Sequence, residues 1–293
     1  MIRFLVNPAA GGGRARKYLA QLQRSATLLG AEVRVSCSGS DLTSQARQAI
    51  ADGVDRLVVG GGDGTMHLAV QALAESPCAM AVLPLGRGND YAAALGVPRR
   101  FAAALHLAVN GETRLVDLGR AGDEWFAFYA GVGFDSATSK VAEGHPRWWP
   151  DAITYAVAVV RTVFRFRPPL ARIEFDTGSF EGEVMFATAC NGPRFGGGMR
   201  IAPMAVMTDG LLDLVIVRAV GKAELLRIFP QVYRGAHVNH PAVSFHRTRR
   251  VHFEFEPSML LGSDGELVGE VGGDGLVASV VPQALAVVTG LPV

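Results

Sequence analysis

Gly61-Gly62-Asp63-Gly64-Thr65 follows the apolar run Leu57-Val58-Val59 and precedes Met66-His67-Leu68-Ala69-Val70-Gln71-Ala72-Leu73. The short apolar run reads as a buried strand and the longer segment as a helix, so the glycines form the turn of a strand–turn–helix unit. That unit constrains the chain to an α/β fold, and such turns hold phosphate. Glycine lets the backbone approach the ligand, and the N–H groups at the helix start face the anion. An Asp inside the turn repels phosphate unless a divalent cation, usually Mg²⁺ with nucleotide phosphates, lies between them. The turn therefore points to phosphoryl transfer from a nucleotide.

The surrounding sequence repeats this rhythm. Strands are predicted at 2–6, 32–37, 57–59 and 79–84, and helices at 14–29, 42–52, 66–74 and 91–95, the second opened by Ser40 or Asp41 as cap. This alternation predicts a doubly wound parallel sheet, whose ligands bind beyond the carboxyl ends of the strands. Three polar or glycine-rich turns lie there: Asn7-Pro8-Ala9-Ala10-Gly11-Gly12-Gly13, the turn at 61–65, and Leu85-Gly86-Arg87-Gly88-Asn89-Asp90. Each alone is equally a structural turn; together they point to one crevice. From about residue 112 the pattern changes to short alternating runs at 124–129, 170–176, 182–190, 212–218, 251–256 and 277–281, with helices at 150–166 and 222–235. This predicts a mostly antiparallel β-sandwich second domain. The expected division is an α/β nucleotide-binding domain at 1–118 and a β-rich substrate domain at 119–283, with 284–293 returning to the first.

The chain has 293 residues, 49% of them hydrophobic, enough for two cores. Its net charge of +1 gives no global field for nucleic acid or an anionic membrane. The three cysteines, Cys37, Cys78 and Cys190, are far apart and read as buried free thiols of a reducing compartment. With no leader and no apolar window of about 20 residues, the chain is expected to be cytoplasmic, with any membrane contact peripheral at the inner surface. Oligomeric state is not readable.

Asn7-Pro8, Gly61-Gly62-Asp63-Gly64-Thr65, Pro84-Leu85-Gly86-Arg87-Gly88-Asn89-Asp90, Gly131-Val132-Gly133-Phe134-Asp135, Asp209-Gly210-Leu211-Leu212-Asp213 and Asp264-Gly265-Glu266 occur in this order. The series resembles the diacylglycerol kinase catalytic-domain family in its small soluble bacterial lipid-kinase form; sphingosine and ceramide kinases share that catalytic domain. The resemblance spans nearly the whole chain. It implies an NAD-kinase- and phosphofructokinase-like first domain that binds MgATP, facing a β-sandwich across a cleft. The expected reaction is transfer of the γ-phosphate to a lipid hydroxyl, with diacylglycerol the leading acceptor. A sphingoid base, ceramide or glycolipid would use the same machinery, and NAD is the soluble rival; an apolar inner face of the β domain would favour lipid.

The resemblance also implies roles. Gly61, Gly62, Gly64 and Thr65 cradle ATP phosphates, and Asp63 acts through Mg²⁺ or its water shell. Asn7, Asn89 and Asp90 lie on the nucleotide side, and Ser36 stands where the family has a nucleotide-contacting Thr. Asp264 and Glu266 supply the group that takes or orients the hydroxyl proton, with Glu266 favoured. Asp209, with backbone carbonyls of Val206 and Leu211, matches a second, structural Mg²⁺ site; locally, a plain Asp-Gly turn is as good a reading. Two positions depart from the pattern. Leu68 replaces a Glu, and Arg87 replaces a Thr, where it either grips phosphate or fills the pocket. They leave open a non-catalytic nucleotide- or lipid-binding regulator. His67 is expected on a helix surface, and Gly272-Gly273-Asp274-Gly275 reads as a simple turn.

Arg147-Trp148-Trp149-Pro150 and the helix end carrying Arg161, Arg165 and Arg167 form a candidate membrane-facing element, since Trp suits the lipid–water interface and Arg an anionic surface. Packing of Trp148 and Trp149 in the core is the equal alternative.

Overall fold

The computed structural model describes residues 1–143 and 151–290. The chain divides into two compact units, Met1–Leu118 together with the chain from Val281 on, and Gly119–Val280.

In the first unit, β1 (Ile2–Val6), β2 (Glu32–Val35), β3 (Arg56–Gly61) and β4 (Ala79–Pro84) form a parallel sheet in the order β4-β3-β1-β2. β3 and β4 are almost wholly buried, as apolar runs covered by helices on both faces must be. β2 is short, charged and exposed, and so blunts its edge. Val6 is in register with both Val35 and Gly60, and Gly61 with Pro84, so three strands end at one level. The covering helices are α1 (Leu19–Leu28), α2 (Gly39–Ala51), α3 (Asp63–Leu73), the short α4 (Asp90–Ala94) and α5 (Phe101–Asn110).

Some local expectations change. The stretch 14–29 is a 3₁₀ turn, Arg14–Tyr18, followed by α1. α2 is capped by Ser38, not by Ser40 or Asp41: the Ser38 hydroxyl accepts the Asp41 N–H at 3.1 Å, and the Asp41 carboxylate accepts the Cys37 N–H at 2.8 Å. The two bonds tie the first turn of the helix to the chain that enters it. Helix α5 was not read from the sequence; the Arg56 guanidinium closes it, donating to the carbonyls of Ala108, Val109 and Gly111.

The second unit is antiparallel. β5 (Thr113–Ala121) and β15 (Leu276–Val288) have residues in both units. The others are β6 (Glu124–Phe126), β7 (Tyr129–Gly133), β8 (Leu170–Phe175), β9 (Gly178–Cys190), β10 (Leu212–Arg218), β11 (Val243–Thr248), β12 (Arg250–Glu256), β13 (Met259–Ser263) and β14 (Glu266–Val271). The long β9 serves two sheets: its first half pairs with β8 and its second half with β10 and β7. Between them lies a core that includes Phe126, Val184, Leu214, Ile216, Phe253 and Phe255. The unit also holds α6 (Phe134–Glu143), α7 (Asp151–Arg165) and α8 (Lys222–Val232). Gly272-Gly273-Asp274-Gly275 is the turn between β14 and β15, closed by a 3.1 Å bond from Gly275 N–H to the Gly272 carbonyl. Among the described residues no helix is long and apolar enough to cross a membrane. Cys78 and Cys190 are buried, but Cys37 is exposed, because it lies at the mouth of α2 rather than under it.

Candidate active site

The common end level of β1, β3 and β4 brings the three turns of the first unit together. A Cβ on Gly86 would fall 2.3 Å from the Gly62 Cα, and one on Gly11 2.5 Å from the Leu85 carbonyl oxygen. Only glycine permits these backbone approaches. The Asn7 amide donates to the Thr65 hydroxyl at 3.0 Å, joining the first turn to the second. Asp63 joins the second to the third: Oδ2 accepts the Asn89 N–H at 2.8 Å and Oδ1 the Tyr91 N–H at 3.2 Å. Asp63 therefore caps α4 from across the site, while Asn89, in the left-handed region at φ 57°, uses its own side chain to close its turn on Gly86. α3 begins behind Gly62, with no side chain capping its first turn. Its N–H groups and helix dipole form an electropositive end bordered by glycines, which suits a phosphate. Arg87 is exposed, with Nη2 3.3 Å from where a Cβ of Gly12 would stand.

Other residues of this unit fall differently. Ser36 is buried and donates its hydroxyl to the Val6 carbonyl at 3.4 Å. His67, expected on the surface, is buried in α3, because that helix packs against α2 as well as against β3 and β4. Leu68 packs at the start of α2, its Cδ1 3.0 Å from a Cβ placed on Gly39.

In the second unit Asp264-Gly265 is the two-residue turn between β13 and β14, with Ser263 paired to Glu266 and φ of 48° and 95°. Asp-Gly is the pair such a tight hairpin requires. The Asp264 carboxylate is buried and fully engaged. Oδ2 accepts the Ala127 N–H at 2.7 Å, and Oδ1 accepts Phe128 N–H at 2.8 Å and Tyr129 N–H at 3.0 Å. Asn191 holds the same segment by donating to the Ala127 carbonyl at 2.8 Å. Glu266 is exposed beside this clasp.

Asp209 accepts the Leu211 N–H on Oδ1 at 3.0 Å and is ion-paired through Oδ2 with Arg247, which stands opposite Asp213 in the β10–β11 ladder. Burial pushes the Asp213 carboxyl pKa up, against the pull of Arg247. In this structure the Asp209 carboxylate is neutralised by the Arg247 guanidinium, which a cation at this turn would have to displace. Among the described residues no group of three or more His, Cys, Asp or Glu is placed to hold a metal. Arg247 was missed because its strand was not read.

The second unit also holds an apolar cavity of about 90 Å³, partly open to solvent and walled by residues such as Phe134, Met185, Phe195, Val215, Ile228 and Phe229. Phe195 stacks on Tyr129 with ring centroids 3.6 Å apart, so the cavity wall is one ring from the backbone that Asp264 holds. Trp148 and Trp149 lie outside the described residues, while Arg161, Arg165 and Arg167 are exposed on and just after α7.

Residues 1–121 match the diacylglycerol kinase catalytic domain, and residues 129–289 the YegS C-terminal NAD kinase beta sandwich-like domain. The chain is 33% identical over 296 residues to a diacylglycerol kinase of Mycobacterium tuberculosis, with 97% of this chain and 93% of the relative covered. It is 29% identical over 278 residues to a diacylglycerol kinase of Bacillus subtilis, with 93% and 91% covered. The fold matches the crystal structure of a diacylglycerol kinase from Bacillus anthracis with a TM-score of 0.75 at 20% identity, covering 99% of this chain and 96% of that one. The chain belongs to the diacylglycerol kinase family: it is a lipid kinase, a phosphotransferase that acts on an alcohol group.

Proposed function

We propose that the chain transfers the γ-phosphate of ATP, bound with Mg²⁺, to the free hydroxyl of a lipid, with diacylglycerol giving phosphatidic acid as the first candidate. The observation that carries the lipid over a soluble acceptor such as NAD is the apolar cavity one ring away from the Asp264 clasp. The names of the Mycobacterium tuberculosis and Bacillus subtilis relatives support diacylglycerol as the acceptor.

The nucleotide phosphates would lie on the glycine-bordered start of α3, with Arg87 reaching the same turns. Mg²⁺ bound with the nucleotide would neutralise phosphate charge near Asp63. Glu266, the exposed carboxylate of the hairpin, takes the hydroxyl proton as the lipid oxygen bonds to the γ-phosphorus and ADP departs. Asp264, with its oxygens committed to three N–H groups, is a positioning residue. An exposed carboxylate beside such a clasp serves transfer better than regulation by binding alone.

Labelled phosphate transfer from Mg-ATP to a micellar panel of diacylglycerol, monoacylglycerol, sphingosine, ceramide and phosphatidylglycerol, with NAD as soluble control, tests this. Label is expected on a lipid, and Glu266→Gln should lower kcat by roughly 10²–10⁴-fold. Label on NAD alone would sink the lipid reading. Asp63→Asn should also abolish turnover, with its melting temperature measured in parallel because Asp63 caps α4.

A further inference from the structure

Among the described residues, the cavity of the second unit has one polar side chain in its wall. His237, 3% exposed, lines it among apolar neighbours. The ring sits on a single 3₁₀ turn, Ala236–Asn239, entered through Gly235 at φ 71°. Its Nε2 lies 3.0 Å from the Ile201 carbonyl oxygen. A carbonyl oxygen only accepts, so Nε2 carries the hydrogen. Burial holds the imidazole pKa below the ordinary 6.5, so the ring is neutral and Nδ1 is a bare acceptor. Among the described residues nothing hydrogen-bonds Nδ1. A buried acceptor left this way is uncommon and destabilising. Ligand sites are mostly apolar surfaces with a few polar atoms that fix orientation, and an imidazole in this wall matches that pattern.

We propose that His237 is a recognition residue: Nδ1 accepts a hydrogen bond from a donor on the apolar part of the lipid. The preferred acceptor lipid then carries, besides the hydroxyl that is phosphorylated, a second donor beside its chain, either a chain hydroxyl or an amide N–H. This rests on the lipid-kinase reading above and narrows it.

The test compares phosphate transfer in mixed micelles to two matched pairs of lipids. One pair is dioleoylglycerol and a diacylglycerol with one hydroxyl on each chain; the other is N-methylceramide and ceramide. The wild-type protein should show about tenfold higher kcat/KM for the donor-bearing member of one pair, the size of one buried hydrogen bond. The pair that responds says whether hydroxyl or N–H is read. His237→Phe should bring that ratio to about one, and His237→Gln, which keeps an acceptor oxygen, should restore part of it. Each ratio is taken within one protein, so partial misfolding of a variant does not alter it. Equal kcat/KM within both pairs for the wild type would overturn the proposal. If no lipid is labelled, the ¹⁵N resonance of Nδ1 decides, assigned by its loss in His237→Phe. A shift with a donor-bearing lipid and not its partner supports the site while the transfer reading falls; no shift with any of the four lipids overturns it.

Discussion

Asp63 and Asp264 are both carboxylates in glycine turns, and both spend their oxygens on backbone N–H groups. At Asp264 this predicts a division of labour with Glu266. Asp264→Ala should lower stability by about 2–4 kcal/mol, because three buried N–H groups lose a charged acceptor. Glu266→Gln should change it by less than about 0.5 kcal/mol while lowering kcat by roughly 10²–10⁴-fold. Urea midpoints of the two variants check this; a neutral Asp264→Ala would show that the clasp does not support the hairpin. Two histidines give a pH prediction. His237 and His246 both have pKa values held below the ordinary 6.5 by burial. A group whose folded pKa is depressed favours the folded state above its unfolded pKa. Stability should therefore be full above about pH 6.5 and fall below it, a slope that His237→Gln would flatten in melting-temperature measurements. Only the family resemblance favoured Glu266 over Asp264; the residues themselves could not rank them, because both lie within three residues of one turn. Burial separates them, and burial comes from the Ala127–Tyr129 segment more than a hundred positions away.

Among the elements, the strands that alternation or apolar runs revealed are those whose burial is regular. Ala79–Pro84 and Leu212–Arg218 are as the sequence predicts. The elements missed have mixed patterns: β11 reads Val-Ser-Phe-His-Arg-Thr and is half-buried along its length, and β14 carries two glutamates and a glycine. Missing β11 hid the partner of Asp209. That ion pair predicts a particular response to metal. Adding Mg²⁺ or a chelator should leave the melting temperature of the nucleotide-free protein unchanged. In Arg247→Met, Mg²⁺ should become stabilising, because Asp209 would then sit uncompensated near the buried Asp213. A wild-type melting temperature that rises with Mg²⁺ would mean the ion displaces Arg247. Capping shows the same limit of local reading. Ser38, Ser40 and Asp41 are all good caps by type, and only the extended backbone at Ser38 made it the cap.

At the scale of the whole molecule, a net charge of +1 leaves membrane attraction to local features. α7 carries Val160 and Phe164, 49% and 64% exposed, beside the exposed Arg161 and Arg165. Phe164→Ser with Arg165→Ser should weaken co-sedimentation with anionic vesicles by tenfold or more, since burying Phe contributes about 1.5–3 kcal/mol and each Arg about 1 kcal/mol. Binding unchanged by the double substitution would remove α7 from the membrane face. The sequence by itself determined the two-part organisation, the glycine turns and the order of the motifs, because glycine need, strand burial and helix periodicity are properties of neighbouring residues. Tertiary structure decided what each polar group faces. The register of β1, β3 and β4 brought three turns together and set Asp63 to capping α4. The β10–β11 ladder placed Arg247 on Asp209. The packing of α8 and its following turn against the sheet left His237 in an apolar wall. With the bond from Ala127 to Asp264, such pairings join residues as far apart as 137 positions, and no local pattern encodes a partner at that separation.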